Sequence, residues 1–160
     1  MLVWRLALSR YPGLDGEGAR LYGGRWNSPG TPMVYAATEI TLAVLEQSVH
    51  VSPARLPVSF RAFAITLPDE IEIEHAAALD LAVDDLEDTR HAGDAWAASL
   101  RSAALIVPSV IVPAVLEPGR IATTERNVLL NPRHPSAAAW KSVETSFRVD
   151  PRLRQPSERI

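Results

Sequence analysis

The sequence predicts a single α+β domain. Strand-like segments outnumber helical ones, turns rich in proline and glycine separate them, and 160 residues match one domain of about 150. Hydrophobic residues make up 47% and charged residues 22%, enough apolar material to bury about 70% of the unfolded surface without cross-links. No segment repeats at a fixed period, so a solenoid or propeller is not indicated.

Residues 2–8 alternate loosely and read as the first strand. Pro12, Gly13, Gly16, Gly18, Gly23 and Gly24 then crowd into a segment too glycine-rich for a packed element, read as a loop that ends in Arg25, Trp26 and Asn27. After the SPGTP turn, residues 33–37 (MVYAA) form a strand. Thr38 reads as an N-cap, with Glu39 in the first turn of a helix over 39–51. Residues 58–66 and 70–73 read as strands, and the Ala, Leu and Trp content and charge spacing of 86–103 predict a helix. The β-branched stretch 104–120 is limited to short or edge strands by Pro108, Pro113 and Pro118. Short strands around 127–132 and 145–149 complete the domain at 1–150, and a loosely held tail with Pro156, Ser157 and several arginines runs from Pro151 to 160.

Composition removes several function classes. Sixteen Lys+Arg against nineteen Asp+Glu give a net charge of -3, so the electrostatic footprint of a nucleic-acid binder is missing. With no cysteine there is no disulfide, thiolate zinc site, iron–sulfur cluster or cysteine nucleophile. No apolar run approaches the roughly 20 residues of a membrane helix. The amino terminus reads differently from a signal peptide, since no basic region leads it and Arg5 splits its apolar run, so a cytoplasmic location is expected. His50, His75, His91 and His134 are widely separated and lack metal-ligand spacing, so no metal is expected. Ser109 lacks the elbow of a hydrolase serine. Trp4, Trp26, Trp96 and Trp140 read as core or rim aromatics.

Two segments carry chemistry. At 100° per residue the 39–51 helix has one apolar stripe of Leu42, Leu45 and Val49, and a second of Ile40, Val44 and Val51. Glu39, Ala43, Glu46 and His50 lie in the arc between them, so Glu46 is flanked by apolar walls and needs donors or positive charge around it. The alternative is a Glu46–His50 pair on a partly exposed helix, worth about 0.2–0.5 kcal/mol, and spacing leaves both open. In the loop, Gly23 and Gly24 permit close backbone approach to a ligand, and the next residue, Arg25, has a fork suited to phosphate. The alternative is a tight turn before a surface arginine, and the loop matches neither GxGxxG nor GxxxxGK[ST].

Taken in order, the blocks WR at 4–5, GGRWN at 23–27, VYAA at 34–37, the LAVLE helix reaching Glu46, GDAW at 93–96, VPS at 107–109, NVLLNP at 127–132, His134 and FRVDPRL at 147–153 resemble the RES-domain family. That family is the toxin half of Xre-RES toxin–antitoxin modules, and the resemblance spans nearly the whole chain. The arginine, glutamate and serine that name it map to Arg25, Glu46 and Ser109, and a shared tyrosine maps to Tyr35. The resemblance implies an ADP-ribosyltransferase-like fold similar to diphtheria-toxin-type enzymes, with a split, mainly antiparallel β core and flanking helices. It implies NAD as substrate, consumed by hydrolysis, by phosphorolysis or by transfer of ADP-ribose to a protein. It also implies a cognate Xre-type antitoxin that occludes the site.

The chemistry suits these residues. Breaking the nicotinamide–ribose bond develops positive charge on the ribose, which a fixed carboxylate such as Glu46 stabilises. Arg25 would grip the diphosphate or adjoining ribose, the Tyr35 ring would stack against nicotinamide, and Ser109 would offer an orienting hydroxyl. Gly24 and Asn27, from the same block as Arg25, complete the expected NAD contacts. Neutral nicotinamide leaves without strong acid help, and no metal is needed. Two rival classes remain at this stage: an RNA-cleaving toxin using His50 or His134 with Arg25, and a non-catalytic interaction module.

Overall fold

The computed structural model describes residues 1–8, 13–50, 59–76, 85–112, 115–117, 121–122 and 124–150. In chain order the elements are β1 (Leu2–Leu8), α1 (Glu17–Tyr22), β2 (Val34–Ala37), α2 (Ile40–His50), β3 (Ser59–Thr66), β4 (Ile73–His75), α3 (Leu86–Ser99), β5 (Ala104–Val107), β6 (Val115–Glu117), β7 (Ile121–Ala122), β8 (Asn127–Leu130), a 3-10 helix (Pro135–Ala139) and β9 (Lys141–Arg148). Seven strands form one sheet in the order β4-β5-β8-β2-β1-β3-β9, and β6 and β7 make a separate hairpin. All neighbours in the large sheet are antiparallel except β4 and β5. The α+β architecture is the predicted one.

Between β1 and β2 the sheet is held at a single register position, Trp4 opposite Ala37, whereas β1–β3 and β2–β8 pair along their lengths. The sheet is therefore split into two halves that meet at that position. Alternation along the strands sends Val3, Ala7, Val34, Ala36, Phe63, Ile65, Val128 and Leu130 to one face, where they form the largest apolar cluster. On the opposite face Leu42 and Ala43 of α2 cover Leu6, Ala37, Phe60 and Ala62. Farther along that face, Trp26, Trp96 and Ala97 cover Leu105, Val107 and Leu129.

Several boundaries differ from the expected ones for local reasons. The glycine-rich segment holds a helical turn, α1, because its glycines flank the turn rather than fill it: Gly16 and Gly23 stand at φ 71° and 70°, in the left-handed region. α3 begins at an Asp85 N-cap, whose carboxylate accepts from the N–H groups of Glu87 and Asp88, and stops at Ser99. Leu100 turns left-handed at φ 52°, so residues 100–103 leave the predicted helix to enter β5. The strand expected at 70–73 begins at Ile73, since Ile71 N–H closes a turn onto Pro68. β9 is longer than expected, an exposed edge strand tied to β3 by the Arg61–Glu144 ion pair.

α2 requires two corrections. Thr38 is not its N-cap: the Thr38 hydroxyl accepts from Arg126 N–H at 3.0 Å, and Ala43 N–H donates to the Glu39 carbonyl, which starts the helix one residue later. The Leu42, Leu45, Val49 stripe is not uniformly buried either. Leu42 is buried, whereas Leu45 and Val49 are 43% and 60% exposed, because the helix rests on β1 and β2 through Leu42 and Ala43 with Ile40 and Val44 at the margin. Val51, Pro12, the start of the 58–66 strand, the His50 side chain and the tail from Pro151 lie outside the described residues. Trp26 and Trp96 are core residues as expected, and Trp4 and Trp140 are half-buried.

Candidate active site

The site forms where three chain segments leave one row of the sheet. Asn127, the first residue of β8, lies opposite Ala37, the last of β2, and opposite Val107, the last of β5. Ala37 leads through residues 38 and 39 into α2 and hence to Glu46. Val107 leads through Pro108 to Ser109. The row thus brings together three residues far apart in the chain.

Their side chains meet on one oxygen. The Ser109 hydroxyl donates to Glu46 Oε1 at 2.8 Å, and the Asn127 amide nitrogen donates to the same oxygen at 2.6 Å. Ser109 is buried, and its oxygen in turn accepts from the N–H groups of Ile111 and Val112, at 3.0 and 3.1 Å. These bonds tie its hydroxyl to the turn after β5 and aim its hydrogen at Glu46. Glu46 is half-buried. Glu46 and Ser109, singled out separately in the sequence, are thus in hydrogen-bond contact, and Asn127 joins them.

The second group is built on β2. The Tyr35 hydroxyl donates to Asn27 Oδ1 at 2.7 Å and accepts from Trp26 N–H at 2.9 Å. Fully buried Asn27 has its amide nitrogen within 3.1 Å of the carbonyls of Ala19, Ser28 and Thr31. Gly24 lies directly on the phenol: a Cβ there would meet the Tyr35 oxygen at 2.4 Å, so only glycine fits. Burial drives the Tyr35 phenol well above the usual tyrosine range, partly offset by Trp26 N–H and by the positive charges of Arg90 and Arg25. Arg25 thus stands near enough to act on Tyr35. Asn27 and the Tyr35 hydroxyl hold the loop, and the half-buried ring of Tyr35 packs against the cluster of Trp26, Met33 and Leu129.

α3 clamps this loop through one face. Arg90 Nε donates to the Gly24 carbonyl at 2.8 Å, Gly93 admits the Trp26 carbonyl so closely that a Cβ would lie 1.8 Å from it, and the Asp94 carboxylate accepts from Ser28 N–H at 3.1 Å. The GDAW block, which had no assigned role in the sequence, is this clamp. The two groups share a sheet face. Tyr35 pairs with Leu129, which makes Asn127 its diagonal neighbour, at the roughly 7–8 Å typical of such pairs.

Arg5 is a further residue that sequence reasoning passed over. It belongs to β1 beside the split in the sheet, its Nη1 donates to the Tyr35 carbonyl at 3.2 Å, and its buried Nε has no partner. Desolvation pulls the guanidinium down to about 10, opposed by nearby Asp15, so it stays charged at neutral pH. The signal was a charged residue in the middle of an alternating apolar strand. Asn127 had a comparable signal, a polar residue two before Leu129 on a face otherwise apolar.

The histidines are dispersed. His134 caps the 3-10 helix, its Nδ1 accepting from Ser136 N–H at 3.1 Å, while His75 and His91 are exposed. Among the described residues no group of three or more His, Cys, Asp or Glu is placed to hold a metal, and no helix is long and apolar enough to cross a membrane.

A family model described as the RES domain matches residues 2–152. The chain belongs to the RES domain family. Among relatives of this RES domain, the Prs ADP-ribosylating toxin of Sphingobium sp. (strain YBL2) is 38% identical over 162 residues, covering 94% of each chain. A protein named Toxin Res from Yersinia enterocolitica serotype O:8 is 35% identical over 158 residues, covering 96% of this chain and 100% of its own. The fold is that of the solved Mycobacterium tuberculosis MbcT–MbcA toxin–antitoxin complex: the superposition has a TM-score of 0.66 at 19% identity and covers 96% of this chain and 86% of that one. The ordered blocks of the sequence thus marked the right family.

Proposed function

We propose that this RES domain is a bacterial toxin that consumes NAD by breaking its nicotinamide–ribose bond, and that a cognate Xre-type antitoxin neutralises it in the cytoplasm. The observation that carries the reading is the Glu46 carboxylate, fixed by Ser109 and Asn127 at the end of β2, on the sheet face that carries Tyr35. The C–N bond breaks with its electron pair passing to nicotinamide, which leaves neutral, and positive charge grows on the ribose. Glu46 faces that charge and accepts from the ribose hydroxyls. Arg25 binds the diphosphate with its fork, while Arg5, which shares the face of Val3 and Ala7 opposite to Glu46, braces β2 through the Tyr35 carbonyl. The Tyr35 ring packs against nicotinamide, and Gly24 and Asn27 hold the loop that presents Arg25.

The acceptor is water, phosphate or a protein nucleophile. The name of the Sphingobium relative supports transfer to a protein acceptor. Likeness to the toxin of a toxin–antitoxin complex supports the antitoxin partner. The RNA-cleaving alternative has weaker support, because a net charge of -3 lacks the positive footprint that binds a phosphate backbone.

The test is to incubate purified protein with NAD, with and without phosphate, and to identify the adenine-containing product by mass. Free ADP-ribose marks hydrolysis, a phosphate adduct marks phosphorolysis, and protein-bound ADP-ribose marks transfer. Intact NAD at high protein concentration overturns the reading. RNA cleavage with NAD intact would select the ribonuclease instead.

A further inference from the structure

We propose that Asn127 is a positioning residue that sets the orientation of the Glu46 carboxylate, an inference that rests on the glycosidic reading of Glu46. The amide nitrogen must be the atom facing Glu46, since an ionised carboxylate only accepts. At 2.6 Å it shares Oε1 with the Ser109 hydroxyl at 2.8 Å, and two donors from separate segments of the chain hold that oxygen in place and so restrain the carboxylate.

The position of Asn127 is set by backbone rather than by its own packing. It is the one β8 residue opposite the final residue of both flanking strands, Ala37 and Val107. The strand ends are bound together just beyond it: Thr38 N–H donates to the Arg126 carbonyl at 2.9 Å, and Arg126 N–H donates to the Thr38 hydroxyl at 3.0 Å. The base of α2 and the Asn127 side chain are thus referenced to the same short piece of β-ladder, and Glu46 is held against a donor that cannot drift. Ser109 hangs from a loop by comparison.

The residue type matters as much as the place. An amide donates without charge, so it orients Glu46 while leaving its negative charge for the developing ribose cation. A lysine there would neutralise that charge. An aspartate has nearly the same shape but donates only while it holds a proton, and two carboxylates at this separation share one.

That difference supplies the experiment. Asn127→Ala, Asn127→Asp and wild type are checked for folding by thermal melting, then assayed for NAD cleavage across pH, with kcat and KM separated. Asn127→Ala should lower kcat by about 10-fold to 100-fold with KM changed less than about twofold, since misplacement of a catalytic group by about 1 Å costs that much. Asn127→Asp should be active at acidic pH, where the shared proton lets it donate as the amide does. It should lose activity as pH rises and both carboxylates ionise, a fall that wild type lacks. A folded Asn127→Ala with wild-type kcat, or Asn127→Asp with the wild-type pH profile, overturns the proposal.

Carboxyl NMR of the three proteins gives a readout independent of turnover. Coupled two-step titration of Glu46 and the introduced Asp supports the contact, and independent titration overturns it. An inactive wild type would strike the glycosidic reading alone, leaving this titration to decide the Asn127 contact.

Discussion

Glu46→Gln keeps the side-chain shape and a carbonyl oxygen able to accept from Ser109 and Asn127, but removes the charge. The variant should fold normally and lose NAD turnover by about 10² to 10³, the cost of deleting a preorganised stabiliser, and a rate assay checks it. Arg25→Lys keeps a charge and loses the fork, so NAD affinity measured by calorimetry should weaken; unchanged affinity would make Arg25 a generic surface charge. Tyr35→Phe removes a hydroxyl that satisfies both Asn27 Oδ1 and Trp26 N–H, leaving buried partners, and urea unfolding should show a loss of about 1–3 kcal/mol. The same hydroxyl makes stability depend on alkali. Its folded-state pKa lies above the unfolded value of about 10, so its contribution is complete below that pH and is lost as pH rises further. Tyr35→Phe should flatten that alkaline decline.

At the scale of elements, the glycines of the two motifs act through contact rather than flexibility alone. α3 approaches the GGRWN loop at Gly93, where a methyl group would collide with the Trp26 carbonyl backbone. Gly93→Ala should therefore push the helix off the loop, lower the melting temperature and reduce NAD cleavage together, whereas Ala95→Gly on the exposed side should cost about 1 kcal/mol by propensity and spare activity. α2 illustrates what periodicity conveys and what it omits. Its place in the chain was legible from the pattern over 39–51, although the helix begins at Ile40, and so was the position of Glu46 between apolar neighbours. Which stripe is buried was not legible, because a helix resting on two strands covers only a narrow band, and Leu45 and Val49 fall outside it. α1 was missed because glycine content argued against a helix, while the two left-handed glycines that bound it are its termini.

For the molecule as a whole, an NAD-consuming domain is harmful to its own cell, so its expression alone in bacteria should lower NAD and stop growth, with Glu46→Gln tolerated. Growth arrest at normal NAD would sink the enzymatic reading. The seam between the half-sheets, where β1 and β2 share one paired position and the Arg5–Tyr35 bond, lies beside the strands that carry Tyr35 and the approach to Glu46. A partner covering that region must exclude NAD, so antitoxin and NAD should each lower the apparent affinity of the other by the same factor. Titrating NAD against free and antitoxin-bound toxin measures it, and undisturbed NAD binding in a stable complex would reject occlusion.

The amino-acid sequence by itself determined one α+β domain, the sites of most strands and of two helices, the exclusion of cysteine chemistry, and, through ordered blocks, Arg25, Tyr35, Glu46 and Ser109 as the residues to examine. Those features are local: alternation, helical period and turn chemistry are written within a few residues. Tertiary structure alone decided that Ser109 and Asn127, 63 and 81 residues from Glu46, meet it on one oxygen, that Asn27 is consumed in holding Tyr35, and that α3 grips the arginine loop. Such meetings depend on strand order and register, which are set by all the strands satisfying their backbone hydrogen bonds and burying both faces at once, and no single segment encodes that solution.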